Sequence, residues 1–305
     1  MTTAPTATAV PTGQRGDAPA LADEPGFLRS FLRVPSGVAG VGILVLFGLL
    51  ALCAPLFISD QDLDVVKVDG PTLHAPTEGY PLGTDQAGRS ILLMVIWGAR
   101  SSLSIGLMAT ALTMVVGSVI GLVAGHYGGW TGKALMHLTD WFIALPSLPL
   151  AISLSAVLGQ GATSITIAIG VTSWATTARL VRAQTLSVEA RPFIERARAL
   201  GANGRQVMLR HILPNVTPLI LVSSTLTVAS AILSEATLTF LGLGDPTGVS
   251  WGAMLNSALN GGAVTAGAWW YLYPPGIAIL IVVLGFTLTG RAVEHILNPR
   301  SVTSR

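Results

Sequence analysis

Six apolar stretches, each about long enough to cross a lipid bilayer, constrain the fold of this chain more than any other feature of its sequence. A helix rises about 1.5 Å per residue, so about 20 apolar residues cross roughly 30 Å of hydrocarbon. The stretches lie near residues 37–58, 96–124, 134–158, 163–183, 214–240 and 269–291. The fourth is the most polar, because Ser and Thr side chains dilute it. The sequence therefore predicts an all-α membrane protein with six transmembrane helices.

The composition agrees with a chain embedded in a membrane. Apolar residues make up 51% and charged residues 10% of the 305 positions, whereas roughly a quarter of an ordinary soluble domain is charged. The first 25 residues are rich in Thr, Ala, Pro and Gly and too poor in large apolar side chains to form a core, so we expect them to be disordered. They also lack the pattern of a removable signal peptide.

The distribution of Lys and Arg predicts a multi-pass protein of the cell membrane with both termini in the cytoplasm. With that orientation, 14 of the 17 basic residues lie on the cytoplasmic side, and Lys67, Arg89 and Arg100 lie outside. Basic residues concentrate in the cytoplasmic loops of membrane proteins, and the opposite orientation would reverse this ratio. The predicted organisation is a cytoplasmic tail over 1–33, a transmembrane domain over 34–300 and a short tail over 301–305, with an outer loop at 59–95, a cytoplasmic loop at 185–212 and an outer segment at 241–268.

The long, arginine-rich loop between the fourth and fifth apolar stretches is the segment with the clearest functional pattern. Residues 193–200 have the pattern of a short helix, Gly201 that of a turn with a left-handed backbone, and 203–211 that of a second helix capped by Asn203. Ala197 and Leu200 are three residues apart and so share a helix face. We expect this small apolar face, beside charged residues, to dock into a groove of a partner.

This loop resembles the EAA loop of bacterial ABC-importer permeases, in which Glu-Ala-Ala is followed by three residues, Gly, nine residues and Ile-x-Leu-Pro. Five positions match, at Glu195, Ala197, Gly201, Leu213 and Pro214, whereas Arg196 replaces the second-position alanine and His211 replaces the isoleucine. The resemblance implies that the loop couples the chain to an ATPase subunit. The residues expected to take part are Glu195, Arg196, Ala197, Arg198, Leu200, Gly201, Arg205, His211 and Pro214.

Other segments extend the resemblance over most of residues 80–300. They are Pro81-Leu-Gly-Thr-Asp-Gln-Ala-Gly-Arg-Ser90, Trp97-Gly-Ala-Arg-Ser-Ser-Leu-Ser104, Phe240-Leu-Gly-Leu-Gly244, Ser250-Trp-Gly-Ala-Met-Leu255 and Asn298-Pro-Arg300. These are similar to the dipeptide, oligopeptide and nickel permease family, most of all to its DppC or OppC type of subunit. The resemblance implies the type I permease fold of ABC importers and a role as half of the pathway for short peptides.

The same resemblance implies an assembly of five parts. They are this chain, a second permease of the DppB or OppB type, two ATPase subunits and an extracytoplasmic solute-binding protein. The chain is then a non-catalytic subunit without a cofactor of its own, and ATP and Mg²⁺ bind to the ATPases. Its own sequence agrees, since Gly132-Lys133 lacks the remaining residues of a phosphate-binding loop, and the His and Cys residues have no metal-ligand spacing.

Several functional alternatives stay open at this point. The cargo of an importer could be nickel or another small solute. A secondary carrier driven by an ion gradient would typically show inverted repeats, and no such repeat is evident. A membrane scaffold or receptor would use residues 193–211 to bind a soluble partner without moving solute, and an arginine-rich interfacial segment would only anchor the loop at the lipid headgroups. No nucleic-acid partner is expected.

Five residues within the apolar stretches form two further groups of candidates. Asp140 and Glu235 are ionisable groups within spans, where such groups are costly and mark either a pathway or a structural pair. Glu235 is placed by its distance from Pro214 near the outer surface, where we expect it to face the outer mouth. Gly117, Gly121 and Gly125 repeat at four-residue spacing and predict close helix packing, with a partner that the sequence does not identify.

Overall fold

Helices make up most of the chain in the computed structural model, which describes residues 27–59 and 63–297. Residues 1–25, which were predicted to be disordered, lie outside the described residues, and so does the predicted tail at 301–305. The helices are α1 (Phe27–Leu32), α2 (Pro35–Phe57), α3 (Ile91–His126), α4 (Gly129–Ala144), α5 (Ser147–Leu158), α6 (Ala162–Glu189), α7 (Pro192–Ala199), α8 (Gly204–Val207), a π-helical turn (Met208–Ile212), α9 (Leu213–Phe240), α10 (Trp251–Asn260) and α11 (Trp269–Leu297).

Membrane-spanning length and apolarity are found in most of the predicted segments. Among the described residues, four helices are long and apolar enough to cross a bilayer, namely α2, α3, the continuous helix Gly204–Phe240 and α11, and the bent pair α4–α5 makes a fifth if it counts as one span. Helix α6 has 28 residues, enough to cross, but it is more polar. The all-helical membrane fold is therefore confirmed, whereas the count of six spans stays a prediction.

The apolar stretch predicted over 134–158 is not a single straight helix. Helices α4 and α5 meet at an angle of 91°, and the break falls at Leu145 and Pro146, both in extended conformation. Proline has no amide hydrogen and pushes the residue before it out of the helical region. This pair of residues therefore ends α4 and starts α5 in a new direction.

The predicted second helix of the cytoplasmic loop is not a separate element. Helix α8 continues through the π-helical turn into α9, where the Leu213 amide bonds to the Met208 carbonyl five residues earlier. Pro214 cannot donate the hydrogen bond that a regular α-helix would direct to residue 210, and a wider turn is a common way to accommodate such a gap. The loop that separates α6 from the next long helix is consequently shorter than 185–212.

The segment before α3 is ordered by a buried carboxylate. Asp85 accepts hydrogen bonds from the amides of Ala87 (2.9 Å) and Arg89 (2.8 Å), and from Arg89 Nε at 2.7 Å. Gly83 and Gly88 within the same turn have positive φ angles of 74° and 83°, which glycine adopts without strain. The run Pro81–Ser90 is thus a compact turn at the start of α3.

Helix α10 packs into the bundle, although the sequence predicted only an outer segment at 241–268 and no helix there. Trp251 is fully buried, and its indole Nε1 donates to the Val95 carbonyl at 2.9 Å. A Cβ atom at Gly252 would clash with the Ala236 carbonyl and the Thr239 hydroxyl of α9, so glycine permits this approach. Ser250 caps the helix by accepting from the Ala253 amide at 3.3 Å.

Helices α3 and α6 lie against each other along a seam of small residues. A Cβ atom would lie 2.6 Å from Thr177 Cβ at Gly117, 2.5 Å from the Ala178 carbonyl at Gly121 and 2.6 Å from Thr185 Cγ2 at Gly125. Glycines at such positions allow backbones to approach closely. The glycine face of α3 therefore meets another helix of the same chain.

Candidate functional site

The short helix α7 is anchored to the helical bundle by one buried side chain. Ile194 is fully buried in a cluster with Val188 of α6, Val207 of α8 and Ile212 of the π-helical turn. Leu122 near the end of α3 belongs to the same cluster. Apolar burial therefore fixes α7 against the ends of the neighbouring long helices.

A second face of α7, beside the one that carries Ile194, is open. Leu200 is 89% exposed and Phe193 is 36% exposed, and the two are seven residues apart, so they lie on one face. Ala197 lies between them and is half-buried, while Glu195 and Arg196 are exposed. The apolar face predicted from Ala197 and Leu200 is present, and Phe193, which the sequence reading did not include, extends it.

The charges of α7 follow the helix dipole. Glu195 lies in the first turn, and Arg196 and Arg198 lie in the last turn. Acidic groups near the start of a helix and basic groups near its end are stabilising. Part of the charge pattern in this loop therefore serves the local fold.

The turn after α7 has the hydrogen bonds of a Schellman motif. The Ala202 amide bonds to the Ala197 carbonyl at 3.0 Å, and the Gly201 amide bonds to the Arg198 carbonyl at 3.0 Å. Gly201 has a φ of 90°, a conformation that other residues adopt with strain. The glycine is thus required by the turn that sets the angle between α7 and α8.

The next helix begins with the predicted cap. The Asn203 side chain accepts from the Gln206 amide at 2.8 Å. Arg205 is exposed in α8, His211 is half-buried in the π-helical turn and Pro214 is exposed in the first turn of α9. The structure therefore brings the matched residues to one end of the bundle, although His211 and Pro214 lie on the long helix rather than on α7.

A polar cluster that the sequence analysis missed joins α7 to two long helices. Arg198 Nη2 donates to Glu189 Oε2 at 2.6 Å, and the other carboxylate oxygen of Glu189 contacts Nδ1 of His126. Glu189 ends α6 and His126 ends α3. We name these three side chains the His126–Glu189–Arg198 cluster. His126 and Glu189 are 63 residues apart in the sequence, so no local sequence pattern predicts their contact.

The His126 side chain of this cluster is closely packed against its neighbours. The His126 and Tyr127 rings lie edge to face with centroids 4.8 Å apart. A Cβ atom at Gly204 would lie 3.2 Å from Nε2 of His126. The first residue of α8 thus lies directly against the same histidine that Glu189 contacts.

The two ionisable candidates within the spans have different surroundings. Asp140 of α4 pairs with Arg179 of α6, with Nη2 and Oδ1 2.5 Å apart, and both side chains are exposed. Glu235 is fully buried on α9, with its carboxyl group among the hydroxyls of Ser102, Thr239 and Ser250. The expectation that Glu235 faces the outer mouth is therefore wrong, because α10 covers it.

A polar cavity of about 320 Å³ lies at the opposite end of the bundle from α7. Its lining includes Arg89, Gln160, Asp245 and Asn256. The hydroxyl and amide of Thr247 lower the pKa of Asp245 by donating hydrogen bonds to its carboxylate. Asp245 is therefore ionised at neutral pH, in a cavity that Arg89 also lines. In the part of the chain that is described, no group of three or more His, Cys, Asp or Glu side chains is arranged to hold a metal ion.

Comparisons with known proteins identify relatives of this chain among membrane transport components. A family model described as the inner membrane component of binding-protein-dependent transport systems matches residues 117–302. A dipeptide transport system permease protein DppC of Alkalihalophilus pseudofirmus is 34% identical, over 86% of this chain and 85% of that protein. An oligopeptide permease protein OppC of Bacillus subtilis is 36% identical over 86% and 85%. A glutathione permease protein GsiD of Pectobacterium atrosepticum is 34% identical over 90% of each chain.

Proposed function

The chain belongs to the family of inner-membrane components of binding-protein-dependent transport systems, and we propose that it couples ATP hydrolysis by partner subunits to the import of short peptides. The protein is a multi-pass membrane permease with the all-helical type I fold of ABC importers. The observation that carries the proposal is the position of α7, which is anchored on one face by Ile194 and presents Phe193 and Leu200 on a second face. An exposed apolar face on a rigidly held helix suits a groove of a partner.

Force applied to α7 would reach the long helices by two routes. The buried contact of Ile194 with Val188 and Ile212 leads into α6 and α9. The His126–Glu189–Arg198 cluster leads to the ends of α6 and α3. Because packed side chains and charged hydrogen bonds resist stretching, closure of an ATPase dimer that moves α7 would move these three helices together.

The family to which the chain belongs supports a proposed set of partners. We propose a second permease that completes the pathway, two ATPase subunits that bind ATP and Mg²⁺ and hydrolyse the nucleotide, and an extracytoplasmic solute-binding protein. This chain itself is then non-catalytic. Both termini and α7 lie in the cytoplasm in this scheme, since the end of the bundle that carries α7 also carries Lys133 and Arg291, as the positive-inside rule requires.

Short peptides are the proposed cargo. The relatives include permeases named for dipeptides, for oligopeptides and for glutathione. All three names describe small peptidic compounds that share amide groups and charged ends. We therefore place peptides ahead of nickel and of other solutes.

The test is co-purification of the detergent-solubilised complex from cells that express this chain with its ATPase subunits. Leu200→Ser removes the exposed apolar contact, and Gly201→Arg places a side chain where φ is 90°. We expect both variants to lose bound ATPase subunits and stimulated ATP hydrolysis. Trialanine uptake into proteoliposomes with the binding protein measures transport directly.

Leu297→Ser is the matched control, because Leu297 is 46% exposed near the same end of the bundle but lies on α11. We expect it to retain the ATPases. If wild type binds no ATPase, or if Leu200→Ser and Gly201→Arg bind ATPases as wild type does, the coupling role of α7 is refuted. If the complex is intact but takes up no trialanine, the peptide cargo is refuted.

A further inference from the structure

A concave surface lies halfway along the helices, where α4 breaks into α5. This surface, which we name the hydroxyl groove, has a volume of about 490 Å³. Beside apolar side chains, its lining includes the hydroxyl residues Ser147, Thr172, Ser173, Thr176, Thr227 and Ser230. These residues belong to α5, α6 and α9. Thr172 lies ten residues into α6, or about 15 Å along the helix, which corresponds to the middle of a bilayer.

Lipid is an unsuitable environment for this surface. Leu145 and Pro146 form the non-helical break, and both are exposed. Irregular backbone at membrane depth is tolerated where it is covered by protein or lines a water-filled cavity, because lipid cannot satisfy its hydrogen bonds. The groove must therefore face either water or a protein neighbour.

An exposed ion pair lies next to the groove on the side toward α7. Asp140 and Arg179 are each 56% exposed and are joined at 2.5 Å. Asp140 comes five residues before the break in α4, and Arg179 comes one turn after Thr176 in α6. Charged side chains at this depth are costly in lipid and normally face a cavity or the interior of a bundle.

Water and solute fit the groove better than a permanent protein neighbour. The surface is concave, and its volume lies within the range of about 300–1,000 Å³ that is typical of small-molecule sites. Its hydroxyls make hydrogen bonds chiefly within their own helices, as Thr227 does to the Ser223 carbonyl at 2.9 Å and Ser230 to the Leu226 carbonyl at 3.3 Å. A hydroxyl bonded in this way keeps acceptor capacity for another group.

We propose that the hydroxyl groove and the Asp140–Arg179 pair are the wall along which a short peptide crosses the membrane, an inference that rests on the proposed function. Hydroxyl groups donate and accept hydrogen bonds and so suit the amides of any peptide main chain. The carboxylate of Asp140 and the guanidinium of Arg179 match the charged amino and carboxyl ends of a peptide. The site thus recognises the features that all short peptides share, and it is indifferent to their side chains.

The experiment uses single cysteines in the complete transporter, reconstituted with its companion permease, ATPases and binding protein. Cys53 is the one cysteine of the sequence, so Cys53→Ser makes this chain free of cysteine. Thr176→Cys and Ser230→Cys report on the groove. Leu49→Cys is the control, because Leu49 is exposed on the apolar surface of α2.

We expect a water-soluble, positively charged methanethiosulfonate reagent to modify both groove cysteines and to spare Leu49→Cys. Turnover with ATP, the binding protein and trialanine should slow modification of the groove cysteines. We also expect Asp140→Asn to lower trialanine uptake while the thermal stability stays unchanged, because an exposed ion pair contributes little to stability.

Groove cysteines that stay unreactive in every condition would mean that the companion permease covers this surface, and the inference would be refuted. Modification that trialanine does not slow would refute it as well, provided the Cys53→Ser transporter takes up trialanine. If that parent transporter binds its ATPases but takes up no trialanine, the proposed peptide function fails as a separate matter, and the inference falls with it.

Discussion

Glu189 makes the polar contacts that join α7 to the ends of α3 and α6. One carboxylate oxygen contacts His126 and the other accepts from Arg198 at 2.6 Å. Its side chain is 13% exposed, so water screens these contacts only partly. Loss of this one carboxylate would leave both His126 and Arg198 without their shared partner.

We expect Glu189→Ala to uncouple the transporter. The ATPase subunits should stay bound, because Phe193 and Leu200 are unchanged, while trialanine uptake per ATP hydrolysed should fall. Parallel measurement of ATP hydrolysis and uptake in proteoliposomes gives this ratio. Glu294→Ala is the matched control, since Glu294 is an exposed carboxylate near the same end of the bundle, and an equal fall in that variant would contradict the role given to Glu189.

Glu235 is buried near the other end of α9. It is fully buried, and Oε1 lies 3.4 Å from the Thr239 hydroxyl. We expect Glu235→Ala to destabilise the protein by about 1–3 kcal/mol, because it leaves a cavity and removes the hydrogen-bonding group that the surrounding hydroxyls face. Glu235→Gln, which keeps shape and an acceptor, should lose less. Thermal unfolding in detergent distinguishes the two, and equal losses would contradict this explanation.

At the scale of the elements, the seam between α3 and α6 depends on residues without side chains. We expect Gly121→Ala to destabilise the bundle by about 1–3 kcal/mol through overpacking, because the new Cβ would lie 2.5 Å from the Ala178 carbonyl. Gly48→Ala in α2 is the control, since nothing lies within 4 Å of that position, and it should be neutral or slightly stabilising. Thermal unfolding measures both, and a harmless Gly121→Ala would mean that the seam can open at little cost.

The elements also differ in how well the sequence predicted them. The short helix α7, the turn at Gly201 and the Asn203 cap follow from local chemistry, and they were predicted close to their observed positions. The break at Pro146 was missed because hydropathy averaged over a long window does not register a single proline. Helix α10 was missed because its ten residues are too short for a span and its burial depends on contacts with α3 and α9.

At the scale of the whole molecule, the orientation in the membrane is the prediction that most of the scheme depends on. In the Cys53→Ser background, we expect Glu78→Cys to react with a membrane-impermeant thiol reagent in intact cells. Arg196→Cys should react only after the membrane is opened. Both positions are exposed, so reactivity reports the side of the membrane. The reverse pattern would place α7 outside the cell and would refute the coupling role.

The sequence by itself determined the membrane class, the approximate positions of the long helices and the family. These properties depend on composition, on apolar length and on motifs that are contiguous in the chain. A bilayer requires apolar helices of spanning length, so these are visible in the sequence. The turn chemistry around Gly201 is local for the same reason.

Tertiary structure alone decided which distant side chains meet. The contact of His126 with Glu189, the pairing of Asp140 with Arg179 across 39 residues and the enclosure of Glu235 by α10 all join separate helices. A helix pattern specifies which face a residue occupies, but the neighbour of that face depends on how every helix packs. The link at α7 and the groove at the break of α4 are therefore products of packing.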